Sequence, residues 1–186
     1  MIIRKATPSD SPWIATYMML AMEDIIYKFI GKKDYAQARE FVLYFVAQEN
    51  NQYAYQNCLV AETDVKVVAV INYYDGENFI ALRKPILDYV RANFNPNCNP
   101  EAETQAGEYY IDALGVAPEM QRKGVGAKLI QTLIDQYVTQ NRKTLGLLVD
   151  EENPKAKKLY LKLGFKSVGR QTLVGQKMKH LQISPI

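Results

Sequence analysis

This sequence is poor in the residues from which most catalytic centres are assembled. In 186 residues it has one histidine, His180, and two cysteines, Cys58 and Cys98. A zinc site takes about four nitrogen, sulfur or oxygen ligands at close spacing. No such cluster is present, so no metal is expected. A Ser-His-Asp or Cys-His enzyme would have to rely on His180, close to the last residue, which argues against both. Long apolar runs are missing as well. "MIIRKATPSD" carries Arg4 and Lys5 with no apolar stretch behind them, so it is not a secretory signal. "PWIATYMMLAM" is cut short by Glu23 and Asp24 and cannot span a bilayer. The expectation is a cytoplasmic protein with no membrane partner and with both cysteines as reduced thiols. A net charge of +3 is too small to indicate nucleic acid, and no known motif arranges the aromatics and lysines for that purpose.

What is present suits one domain over residues 1–186, long enough to bury a core without cross-links. "IIRKAT" reads as a strand, followed by turn and cap chemistry at Thr7-Pro8-Ser9-Asp10. Trp13, Ile14, Tyr17, Met18, Ala21 and Ile25 recur at helical spacing until Gly31, and a second helical pattern runs from about Asp34 to Gln48. "CLVAETDVKVVAVINYY" gives two strands joined at Glu62-Thr63-Asp64. Ile80 to Phe94 fits a helix despite Pro85, and "NPNCNPEAETQAG" is a loop by composition. "EYYIDALGV" is a strand ended by Pro118. Ala127 to Tyr137 is amphipathic, "TLGLLV" is a buried strand, and Ala156, Leu159, Tyr160 and Leu163 line one helical face. "FKSVG" and "QTLVGQKMKHLQI" close the chain as strands. The order βααβββαβαββ, with an extra helix before the fourth strand, predicts a mixed α/β sandwich.

One short stretch carries chemistry. "QRKGVGAKLI", residues 121–130, follows a strand and opens a helix. Free N–H groups gather at a helix N-terminus, where the macrodipole favours an anion. Glycines let several amides point one way with no Cβ in front of a ligand. The stretch is not a Walker loop, because no Gly-Lys-Ser/Thr follows. It is not a dinucleotide fingerprint either, because Leu129 stands where the third glycine belongs. On its own it could equally be a tight turn into a helix. Downstream, Asn153 before Pro154 is a good helix cap, Tyr160 could be a core tyrosine, and Gly164 stands where a helix ends.

Taken together, "YYIDALGVAPEMQRKGVGAKLI" and "VDEENPKAKKLYLKLGFKSVG" resemble the paired motifs of the GNAT superfamily of acetyl-CoA-dependent N-acetyltransferases. The first has the form L-x-V-x-P followed by Q/R-x-x-G-x-G/A. The second has the form N-x-x-A-x-x-L-Y-x-x-x-G-F. The resemblance is specific over residues 108–170 and architectural elsewhere. It implies a GNAT fold of α/β class, a mixed and mostly antiparallel sheet flanked by helices on both faces. It also implies a single domain over 1–186 with an insertion at about 76–108 before the fourth strand.

The resemblance further implies acetyl-CoA as cosubstrate and direct transfer of its acetyl group to a primary amine of a small molecule or peptide. Gln121, Arg122, Lys123, Gly124, Val125, Gly126 and Ala127 would cradle the pyrophosphate. The strand at Leu114, Gly115 and Val116 would pair with the pantetheine arm, and the Leu114 amide would polarise the thioester carbonyl. Asn153 would reach the cofactor arm, and Tyr160 would lie near the sulfur as the acid. An alkyl ammonium titrates near 10, so a base is also needed. Asp112 matches a position where the family often carries one, and it could equally be a structural carboxylate. A water chain ending at Tyr110 or Glu108 is the fallback. Strand alternation places Glu108, Tyr110, Asp112, Leu114 and Val116 on one face. Lys155, Lys157 and Lys158 fit a solvated helix face better than a phosphate contact. Segment 76–108 should wall the acceptor site together with the two N-terminal helices. Tyr73, Tyr74, Phe79 and Tyr89 would offer stacking surface there, and Glu101, Glu103 and Glu108 would favour a cation. A GNAT-fold acyl-CoA sensor without transfer activity is the alternative. A homodimer stays open, since the sequence cannot count subunits.

Overall fold

The structure is a computed structural model and describes residues 1–64 and 66–186. Val65 lies outside the described residues. The strands are β1 (Ile2–Lys5), β2 (Cys58–Thr63), β3 (Lys66–Asp75), β4 (Glu108–Val116), β5 (Thr144–Asp150), β6 (Lys166–Leu173) and β7 (Gln176–Ile183). The helices are α1 (Ser11–Ile30), α2 (Tyr35–Val46), α3 (Phe79–Asn93), α4 (Val125–Leu133) and α5 (Pro154–Lys162). A π-helical stretch, Ile134–Gln140, continues α4. Among the described residues the strands form one sheet in the order β1-β2-β3-β4-β5-β7-β6. All pairs are antiparallel except β4 with β5. No helix among the described residues is long and apolar enough to cross a membrane.

Local chemistry sets the boundaries. Gly31 takes a left-handed φ of 75° and ends α1. The Asp34 carboxylate accepts from the Gln37 amide and starts α2. Helix α3 forms with Pro85 inside it, as the apolar spacing suggested, and begins one residue earlier than the sequence indicated. Its Tyr89, with Phe94 just beyond, packs on Phe41 and Phe45 of α2. The inserted segment is thereby tied to the N-terminal helices by aromatic contact. Helix α1 carries a break at Met22, whose φ of −133° and ψ of 17° are not helical.

One irregularity in β4 organises everything that follows. Asn72 of β3 faces Ala113, and the next residue, Tyr73, faces Ile111. Asp112 is therefore the extra residue of a β-bulge. Pairing of β4 with β5 runs from Glu108–Thr144 to Ile111–Leu147 and stops there. Beyond the bulge the two strands separate.

The bulge also corrects the strand alternation expected from the sequence. Gly126 of α4 would bring a Cβ to 3.5 Å from Leu114 Cδ2 and Val116 Cγ2, so those side chains face α4. Tyr109 and Tyr73 meet Tyr137 on the same side. Tyr110 instead packs with Tyr74 and Phe79, and Asp112 meets the Tyr74 hydroxyl at 3.3 Å. Glu108, Tyr110 and Asp112 therefore lie on one face and Leu114 and Val116 on the other. Gly115 closes the other side, since a Cβ there would collide with the Tyr17 carbonyl of α1.

Candidate active site

The loop between β4 and α4 is built from unusual backbone. Arg122 has φ 63° and Gly124 has φ 80°, two left-handed residues in three. Such alternation curls successive amides around a concave point, the geometry of an anion-binding nest. Gly124 stands at the N-cap of α4 and no side chain caps it. Its glycine answers the backbone angle, since a Cβ there would meet nothing within 4 Å. The next main-chain bond goes from the Lys128 amide to the Gly124 carbonyl. The amides of Val125, Gly126 and Ala127 have no acceptor among the described residues.

A cavity of about 430 Å³ lies over this loop, lined by Leu114, Gly115, Val116, Gln121, Arg122 and Gly124 to Ala127. Of the run expected to form the cradle, every residue but Lys123 lines this cavity. The strand edge is available too. The Ala117 amide donates to Val68 of β3 at 2.8 Å. Because N–H and C=O groups alternate in direction along a strand, those of Leu114 and Val116 point away from β3 into the gap. There the Gln121 side chain already donates to the Val116 carbonyl at 3.2 Å.

A second cavity of about 610 Å³ adjoins the first, with Leu20 and Leu114 lining both. Asp112, Asn153 and Tyr160 line it, so the structure brings these three together beside Leu114. Asn153 also caps α5, because its side chain accepts from the Ala156 amide at 3.0 Å. Its side-chain NH2 remains a free donor at the cavity rim. Tyr160 is 9% exposed, and its ring sits edge-on to Phe165. Its hydroxyl has no hydrogen-bond partner among the described residues, and burial pushes its pKa up to about 12. It is thus a neutral donor facing a cavity.

Asp112 is half-buried and accepts from Gln52 Nε2 at 2.8 Å and, more loosely, from the Tyr74 hydroxyl. Burial, and then the charge of Glu103, push its carboxyl well above the ordinary range. Glu103 is buried and held near Arg83 Nη2 at 3.7 Å. Burial raises its pKa against the pull of Arg83.

The structure redistributes the other roles expected from the sequence. Glu108 does not reach the cavity: Thr104 Oγ1, His180 and Gln182 contact its carboxylate at 2.7 to 2.9 Å. Burial alone would raise its pKa, but these bonds hold it below the usual value. Tyr110 does line the cavity, as part of its wall. Glu101 accepts from the Val174 amide at the β6–β7 turn instead. Of the three acids named in the inserted segment and at its end, only Glu103 faces the cavity. Tyr73 and Phe79 are buried, Tyr89 packs half-buried against α2, and none of the three lines either cavity; α2 and α3 contribute no lining residue. Of the two N-terminal helices expected in the wall, only α1 supplies it, through residues 20–25 around its break at Met22. Lys155 and Lys158 are exposed, with no lysine of α5 in either cavity.

A parallel strand pair that parts at a bulge, with an amide-lined loop opposite the gap, defines the GNAT class of acyl-transfer fold. The chain belongs to the acetyltransferase (GNAT) family, whose pattern it matches over residues 20–165. It is similar in fold to an N-acetyltransferase from Staphylococcus aureus Mu50, at 24% identity and TM-score 0.86, covering 98% of this chain and 100% of that one. A further solved acetyltransferase is 28% identical with TM-score 0.79, covering 99% of both chains. A Corynebacterium glutamicum protein described as histone acetyltransferase HPA2 and related acetyltransferase shares the fold at 17% identity and TM-score 0.73, covering 99% of this chain and 96% of that one. No curated protein sequence matches the chain.

Proposed function

We propose that this protein moves the acetyl group of acetyl-CoA directly to a primary amine, and that the favoured acceptor is a small molecule or peptide end carrying positive charge. One observation carries this reading. The cavity on the far side of Leu114 is lined by Glu23, Asp24, Glu103, Asp112, Asp150 and Glu152, and by no lysine or arginine. Its field attracts a cationic acceptor and repels an anionic one.

The residues divide the work in a simple way. Amides of residues 122–127 would hold the pyrophosphate, and the gap-facing backbone of Leu114 and Val116 would pair with the pantetheine arm. That pairing points the thioester toward the junction of the two cavities. There the Leu114 N–H would stabilise the oxyanion. Asp112 would take a proton from the ammonium, and the Tyr160 hydroxyl would hydrogen-bond the sulfur as it leaves. Orienting two bound reactants face to face supplies much of the rate.

The test is to mix the protein with acetyl-CoA, a thiol reagent and a panel of amines. Amine-dependent thiol release supports transfer. Acetyl-CoA binding with no release for any amine would instead favour an acyl-CoA sensor.

A further inference from the structure

We propose that Asp112 does not work alone, and that Glu103 and Asp112 share one proton and act as a single base. This rests on the transfer reading above and adds a positioning residue from the inserted segment. Two carboxylates converge here from different parts of the chain. Gln52 Nε2 bridges them, donating to Asp112 Oδ2 at 2.8 Å and to Glu103 Oε1 at 3.2 Å. One cation serves both: Arg83, 4% exposed, with Nη2 at 3.7 Å from Glu103. That distance is too long for a hydrogen bond, and Arg83 Nε and Nη2 have no partner among the described residues. The guanidinium is held instead by the Glu101 carbonyl and the face of Phe79.

The charge count then decides the protonation. With both carboxylates ionised, this buried cluster holds two negative charges against one positive, which a low-dielectric site disfavours. One shared proton makes it neutral. An incoming ammonium does the same by bringing its own charge. The phenols of Tyr53, Tyr74 and Tyr110 and the Cys58 thiol surround the pair, and burial raises the pKa of each, so none ionises while the pair titrates. Glu23, Asp24, Asp150, Glu152 and Tyr160 line the same cavity.

In the complex, one N–H proton of the ammonium passes to the pair. The freed lone pair forms the C–N bond to the thioester carbonyl carbon. The C–S bond breaks and sulfur keeps its electrons. A second nitrogen proton reaches that sulfur past the Tyr160 hydroxyl. The resting pair's shared proton leaves to solvent as the ammonium binds, and the transferred proton restores it, so ammonium plus thioester yields amide, thiol and one proton. Because the pair holds a proton more tightly than a lone carboxylate, the first transfer is less uphill. Both carboxylates line the cavity, so the proton need not travel far.

The experiment is a pH titration of the Asp and Glu carboxyl carbons by NMR, on the free protein and on Glu103→Gln and Asp112→Asn. The pair should titrate in two shared steps, one of them above the ordinary carboxylate range. In Glu103→Gln, Asp112 should titrate in one step at lower pH, and the acid limb of kcat/KM should move the same way. A merely structural Glu103 would lower the rate without moving that limb. Asp112 titrating in a single ordinary step in the wild type would overturn the proposal. So would an unmoved step in Glu103→Gln. Should that variant fail to fold, the wild-type and Asp112→Asn titrations still decide. Absence of turnover with every amine would defeat the transfer reading, and it is told apart because the titration needs no acceptor.

Discussion

The two cavities that meet at Leu114 are made by opposite means. On the cofactor side, one contiguous run, residues 121–127, presents main-chain amides through two left-handed residues. On the acceptor side, side chains arrive from α1, the loop before β4, β4 itself and the β5–α5 turn. The first site depends on backbone angles and is indifferent to most side chains. The second depends on individual carboxylates and on packing that holds them out of water. Substitutions should therefore act differently in the two halves.

The largest effect is expected from a change that disturbs the backbone-built half. Gly124→Glu puts a side chain at φ 80° and a negative charge where the phosphates would sit. Acetyl-CoA affinity, read by titration calorimetry on folded protein, should fall by roughly a hundredfold or more. Lys123→Ala leaves the main chain as it is and should change affinity by less than about tenfold. Equal losses in the two variants would break the contrast.

In the side-chain-built half, Asp112→Asn should lower kcat/KM by about 10²–10⁴-fold and leave acetyl-CoA affinity unchanged. Raising the pH should recover part of the rate by freeing the amine in solution. Stability should move the other way. A carboxyl whose pKa is raised on folding contributes its full stability below the unfolded value and loses it as pH rises. Near neutral pH, Asp112→Asn should therefore be more stable than wild type. A wild-type rate and pH profile would make Asp112 structural.

Tyr160→Phe keeps the ring against Phe165 and removes one cavity-facing hydroxyl. We expect kcat to fall about ten- to a thousandfold, with little change in melting temperature or acetyl-CoA binding. Full activity would assign Tyr160 to packing alone.

A smaller effect, on stability, is expected where β4 and β5 still pair. Gly146 leaves room for the Glu108 carboxylate, and a Cβ there would overlap it. Gly146→Ala should displace Glu108 from Thr104, His180 and Gln182 and destabilise the fold by about 2–4 kcal/mol, read by chemical denaturation. Glu108 has a lowered folded pKa. Its stabilisation is complete above the ordinary value and is lost as pH falls through the lowered one. Glu108→Gln should flatten that acid limb.

The two halves also differ in how far the sequence displays them. The glycine loop was legible because a nest and a helix N-terminus need glycines at fixed offsets, and those offsets are local. Element order, including α3 across Pro85, was legible from apolar spacing for the same reason. The bulge at Asp112 was not, since period-two alternation carries no mark of an extra residue until the register against β3 is known. Leu20 to Ile25 read as ordinary helix interior, with no local signal for the break at Met22. Gln52, Arg83 and Glu103 are single polar residues in unrelated segments, and only the tertiary structure puts them around Asp112. The tyrosines assigned to the acceptor wall looked suitable by type, but most of them fill the interior.

The most direct measurement compares two acceptors of equal length: an α,ω-diamine and the ω-amino acid in which one amine is replaced by carboxylate. Thiol release from acetyl-CoA gives kcat/KM for each at low ionic strength. The carboxylate-lined cavity should favour the diamine by about tenfold or more, and added salt should shrink the ratio. Equal rates for the two, or a preference for the amino acid, would contradict the assignment of that cavity to a cationic acceptor.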